Sequence, residues 1–185
     1  MKLNLGCEAC VLPIQQWDNI DHKSVRPQVT EHDCRKGLNY PPESVDEVYG
    51  GHFFDHLTYF EGLALLKECY RVLKPGGVVH FSVMDTDTII NSYLLHRMEE
   101  YENVQPPIFK TFSNATKFAT FLLGNLANEK EYTGHKMLFS PQSLQGIFAA
   151  AGFQAKIIEP DFSVEPWCVE KEEYYDHTLY VEGIK

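Results

Sequence analysis

At 185 residues with 44% hydrophobic content, the chain is expected to be one domain with one buried core. A formal net charge of −10, with lysines and arginines scattered singly, repels phosphate backbones and argues against a nucleic-acid partner. No apolar run approaches membrane-spanning length. Strand-like sequence begins at Met1-Lys2-Leu3 with no leader-like stretch, and Cys7, Cys10, Cys34, Cys69 and Cys168 lack disulfide-framework spacing, so the expectation is a cytoplasmic protein without membrane association.

Lys2 to Gly6 reads as a short buried strand ending on a glycine. Trp17 to Asp21 reads as a second strand and Gln28 to Asp33 as a third. After a turn-rich loop with Pro41-Pro42, Val45 to Tyr49 is a fourth, followed by Gly50, Gly51 and His52. From Phe53 to Leu73, the apolar residues Phe53, Leu57, Phe60, Ala64, Leu65, Tyr70 and Leu73 recur at helical spacing. Lys74-Pro75-Gly76-Gly77 stops that helix, because proline cannot continue it and glycine frees the turn. Val78 to Asp85 is a buried strand.

The aromatic-rich stretch 86–134, broken by Pro106-Pro107, reads as short helices forming a lid or pocket wall. Pro141 to Ala151 is a helix with Ser140 as its cap. Phe153 to Glu159 and Thr178 to Ile184 are the last two strands, separated by an acidic, irregular loop. Strand, helix, sharp turn and buried strand in this order make a crossover unit of a parallel sheet. Such sheets place ligand sites at the carboxyl ends of their strands. Here those ends carry Gly50, Gly51, His52 and Asp85, which points to a small-molecule pocket.

Asn4-Leu5-Gly6-Cys7, Asp21, Asp33-Cys34-Arg35, Ser44-Val45-Asp46-Glu47-Val48-Tyr49, His52 with His56, and Arg71-Val72-Leu73-Lys74-Pro75-Gly76-Gly77 follow one another in a familiar order. Together they resemble the class I S-adenosylmethionine-dependent methyltransferases, and more narrowly a small bacterial group of the type-11 family. His135-Lys136, Phe139, Leu144 and Ala151-Gly152-Phe153 are similar to that group's segment before its last two strands. The resemblance implies an α/β, Rossmann-like sheet of seven strands, order 3-2-1-4-5-7-6. The last strand is antiparallel and helices lie on both faces. It also implies an enzyme with S-adenosylmethionine as cofactor and a small-molecule methyl acceptor. The family's extra helix before strand one has no counterpart in the sequence, so an apolar edge left uncovered there makes a homodimer an open alternative.

For the site, the resemblance implies that Asn4, Gly6 and Cys7 hold the cofactor's amino-acid portion. Asp21 accepts both ribose hydroxyls, Asp33 and Cys34 meet the adenine, and Gly50, Gly51 and His52 flank the transferable methyl. The family's Gly-x-Gly loop runs here as Gly6-Cys7-Glu8, so a charged side chain stands where bare backbone is expected. His52, His56 and His135 are the expected bases for an oxygen or nitrogen acceptor. His52 and His56 share one face of the helix start, and Asp55 orients one of them. Tyr93, Phe109 and Phe112 are alternatives between acceptor lining and core. Cys7-x-x-Cys10 with His32 and Cys34 has zinc-like spacing, but no second Cys-x-x-Cys exists and no metal is expected. A catalytically degenerate scaffold of the same fold is the competing reading, favoured by Glu8. A nicotinamide dehydrogenase is disfavoured, since Gly-x-Gly-x-x-Gly is missing.

Overall fold

The computed structural model describes residues 1–8, 10–24, 26–99, 110–123, 134–167 and 176–185. Seven strands, β1 (Lys2–Leu5), β2 (Trp17–Asp21), β3 (Val29–Glu31), β4 (Val45–Gly51), β5 (Leu73–Met84), β6 (Gln154–Ile157) and β7 (Thr178–Ile184), form one sheet. Its order is β3-β2-β1-β4-β5-β7-β6. Strands β1 to β5 pair in parallel, and β7 runs antiparallel between β5 and β6. The sheet order and the antiparallel last strand are those that the resemblance implies.

Helices α1 (Tyr59–Val72) and α4 (Pro141–Ala150) share one core with one sheet face. Alternation along the strands explains the placement. Leu3, Leu5, Val48, Val79, Phe81, Val83, Leu179 and Val181 point to the helices, where Leu65, Leu66, Leu144 and Phe148 meet them. Helices are expected on the other face too. Among the described residues, that face carries a layer of Leu12, Trp17, Tyr49, Trp167 and Tyr180.

Two sequence expectations shift. The helix after β4 begins at Tyr59, not Phe53. Thr58 takes extended backbone angles and accepts from the Glu61 amide, while the Glu61 carboxylate accepts from the Thr58 amide at 2.8 Å. This capping box fixes the helix start. Phe54–His56 is instead a single 3-10 turn, so His52 and His56 do not share a helix face. The Pro-Gly-Gly turn is a bulge within β5: Val45 pairs Leu73 and Glu47 pairs Val78, leaving residues 74–77 looped out. Gly76 takes φ 78° there, a left-handed conformation that glycine adopts freely.

Within 86–134 the described residues form α2 (Thr86–Leu94) and α3 (Asn114–Leu123), in line with the expected short helices. Tyr93 stacks on Phe118 with centroids 4.5 Å apart, and Phe112 packs into the same small cluster with Met84, Ile89 and Met98. Phe109 and Cys168 lie outside the described residues. Among the described residues, no helix is long and apolar enough to cross a membrane.

Candidate active site

Three loops meet at the carboxyl edge of the sheet: those after β1 and β4, and the segment leading into α4. Gly6 follows β1 with φ 63°. A Cβ there would lie 2.2 Å from a ring carbon of Phe53, so the missing side chain admits the Phe53 ring and brings the β4 loop onto the β1 loop. Glu8, in the family's second glycine position, takes φ 43° and donates its amide to Asp21 Oδ2 at 2.9 Å. Asp21 Oδ1 accepts from the Lys23 amide at 3.3 Å and lies 2.7 Å from His22 Nδ1. The expected ribose acceptor is thus engaged by its own loops, with only about a tenth of its side chain exposed.

Asn4 is buried. It donates to the Cys10 carbonyl at 2.9 Å and to Asn19 Oδ1 at 2.8 Å. Asn19 in turn exchanges bonds with the Leu12 backbone, donating to its carbonyl and accepting from its amide, each at 2.9 Å. Both Asn4 donors hold the β1 loop in shape and so are committed away from the cofactor's amino-acid portion. Cys7 is also buried, its thiol pushed up to about 12 by burial and the nearby Asp21 charge.

Asp33 caps the 3-10 turn Cys34–Lys36. Arg35 grips it through Nε to Oδ1 at 2.8 Å and Nη2 to Oδ2 at 3.0 Å, which holds the carboxyl below its ordinary range. Cys34 is buried under that turn, its thiol raised to about 12 by burial and by Asp21. His32 Nε2 lies 2.7 Å from the Gly37 carbonyl. The thiols and His32 therefore do not converge as a zinc set.

Gly50 and Gly51 close β4. A Cβ on Gly50 would press on Phe81 at 3.0 Å and on the Leu5 carbonyl at 3.3 Å, so this glycine serves sheet packing. His52 takes φ 44° and donates its amide to the Ser82 carbonyl and hydroxyl, each at 3.0 Å. Its Nε2 stands 3.4 Å from Thr178 Oγ1 on β7. The neighbouring His177 is buried, and burial pushes its imidazole down to about 4, with the His52 charge adding to the effect.

The 3-10 turn then presents Asp55 and His56. Phe54 anchors it, stacking on Phe139 at 5.6 Å and lying 5.0 Å from Phe81. The Asp55 carbonyl accepts the amides of Lys136 (2.8 Å) and Met137 (3.1 Å), which brings His135 alongside. His56 and His135 rings lie 4.8 Å apart. Asp55 is completely buried beneath them, with Oδ1 3.8 Å from His56 Nε2 and Oδ2 3.7 Å from His135 Nε2. Burial, opposed by Asp55, lowers the His56 imidazole below its usual range. Sequence reasoning missed Asn19 and His177. A polar residue in the middle of buried β2 was the available signal for the first; nothing local marked the second.

Sheet order and the antiparallel β7 define the class I methyltransferase fold. Residues 13–81 match the family model of a methyltransferase domain. The match spans a little over a third of the chain, and the fold of the whole chain is that of the class I methyltransferases. Among solved structures, a methyltransferase from Methanosarcina mazei is similar at 15% identity, covering 100% of this chain and 91% of that one, with TM-score 0.57. One from Archaeoglobus fulgidus is 16% identical, covering 100% and 85%, with TM-score 0.56. A possible histamine N-methyltransferase from Thermotoga maritima is 16% identical, covering 100% and 81%, with TM-score 0.55. At such identities the likeness is one of fold. No curated protein matches the chain.

Proposed function

We propose that the protein transfers the sulfonium methyl of S-adenosylmethionine to an oxygen or nitrogen of a small molecule. The reading rests above all on one contact: Phe53 on Gly6, which sets the histidine-bearing loop after β4 directly on the loop after β1. Cofactor and acceptor then share one edge. S-adenosylmethionine, when bound, would supply an electrophilic sulfonium methyl, the broken bond's electrons returning to sulfur as the acceptor's lone pair forms the new bond. The acceptor's proton passes to an imidazole, with His52 nearest the strand end and His56 and His135 beyond it. Alignment and exclusion of water supply most of the rate.

In this reading Asp21 exchanges its bonds with Glu8 and Lys23 for the ribose hydroxyls, while the Asp33–Cys34 turn borders the adenine. Helices α2 and α3, packed against each other, supply the acceptor wall. The possible histamine N-methyltransferase among the fold neighbours is compatible with a small amine acceptor. The acidic surface disfavours nucleic-acid acceptors.

Calorimetric titration with S-adenosylmethionine and S-adenosylhomocysteine, with Asp21→Ala as control, is the test. Micromolar binding lost in the variant supports the reading and justifies an acceptor screen for methyl loss. A second reading, a scaffold of the same fold without catalysis, draws on Glu8 in a left-handed position and on the engaged Asp21. Absence of binding to either ligand would select it.

A further inference from the structure

We propose that Asp55, His56 and His135 form a binding site for one divalent transition-metal ion of the zinc class. Among the described residues, this is the group of three ligand-type side chains that converges: one ligand atom from each lies within 4.8 Å of the others. A second observation points to a cation. Asp55 is fully buried, and its Oδ1 has no hydrogen-bond partner. Among the described residues, Oδ2 accepts only from the Met84 amide, at a long 3.4 Å. A carboxylate so placed is costly unless a positive charge or strong donors meet it. Two imidazole Nε2 atoms face it instead, at 3.7 and 3.8 Å.

Those separations are too long for hydrogen bonds. The edge of a tetrahedron built on metal–ligand bonds of about 2.0–2.1 Å is roughly 3.4 Å, whereas the two contacts end on different carboxylate oxygens and one ligand atom from each residue lies within 4.8 Å of the others. Rotation of the rings and of the carboxylate would draw one oxygen and two nitrogens onto one ion. The surroundings also fit ligand histidines. His135 Nδ1 donates to the Leu122 carbonyl at 3.1 Å, and its other ring nitrogen, Nε2, lies 3.7 Å from Asp55 Oδ2. His56 makes a hydrogen bond with the Gly134 backbone. Ligand imidazoles are commonly fixed by such a bond from the other ring nitrogen. Two nitrogens and one carboxylate oxygen select zinc, cobalt, ferrous iron or nickel over magnesium and calcium. Three protein ligands leave a fourth position for water or for an oxygen or nitrogen of the acceptor.

This deepens the proposed methyl transfer at one point only: His56 and His135 become ligands, and proton acceptance falls to His52. The ion needs neither cofactor nor acceptor to bind, so the two readings fail separately. The test uses untagged, chelator-dialysed protein. Cobalt(II) is titrated and followed by its visible ligand-field bands, and zinc retained after gel filtration is counted by elemental mass spectrometry. One equivalent with the strong bands of a four-coordinate site is expected. His135→Ala and His56→Ala should each weaken binding by about 100-fold or more, with circular dichroism showing retained fold. Zinc should raise the melting temperature of the parent protein and of Cys10→Ala, but not of the histidine variants. No bound ion, or binding that survives both histidine variants, would overturn the site. Calorimetry with S-adenosylmethionine in parallel tests the methyltransferase reading independently.

Discussion

The loop after β1 and the turn after β4 touch through Gly6 and Phe53, yet they treat their polar groups in opposite ways. In the first, Asn4, Asn19 and Asp21 spend their hydrogen-bonding capacity on neighbouring backbone. In the second, a fully buried carboxylate has an oxygen with no donor at all. A satisfied loop is shaped by its own bonds and must trade them for a ligand's. An unsatisfied buried group stores a cost that a ligand can relieve. The difference separates residues that hold a site's shape from residues that await a charge.

The sharpest way to break the comparison is to remove the anchor of the second region. Phe54 is buried against Phe81, Phe139 and Phe148. Phe54→Ala should cost about 3–5 kcal/mol in denaturant unfolding. If the loss is under about 1 kcal/mol, the turn is not held as described.

Acid should act next. His177 sits at about 4 when folded, against 6.5 for an ordinary imidazole, facing His52 and Asp176. The unfolded chain therefore binds its proton first. Stability is whole above pH 6.5 and falls as pH drops toward 4, by up to about 3 kcal/mol from this residue. His177→Gln should flatten that stretch of the stability–pH curve, measured by urea midpoints.

Two smaller effects sharpen the first region. Asp21→Ala should weaken S-adenosylmethionine by about 10- to 100-fold, the worth of hydrogen bonds to a charged group, read by calorimetry; unchanged affinity would remove Asp21 from the cofactor site. Glu8→Gly removes a left-handed non-glycine residue, worth roughly 0.5–1 kcal/mol of stability after glycine's own entropy cost. It should also tighten the cofactor, and a weaker complex would mean that Glu8 contributes directly.

Much of the fold could be read before any coordinates, because strand ends and turns are written locally. Gly6 and Asp21 each mark a strand end, whereas the Lys74-Pro75-Gly76-Gly77 turn falls inside β5, just after the end of α1. The start of α1 was legible too, in Thr58 and Glu61, but the apolar spacing of Phe53, Leu57 and Phe60 suggested an earlier start. Phe60, 80% exposed, is not a core residue at all. The surroundings of Asp55 were beyond local reading. Asp55 looks like a helper of one histidine; only the fold buries it, removes its donors and brings His135 beside it.

The paired amides of Lys136 and Met137 on the Asp55 carbonyl carry a consequence for how the molecule comes into being. They close one of the longer loops of the chain, and such closures are rewarded only after local structure has formed. The histidines on either side of that clasp therefore meet late in folding. Fragments cut between them would divide the ligand set, Asp55 and His56 on one and His135 on the other, and recovery of bound cobalt on refolding would mark the moment the whole domain is complete.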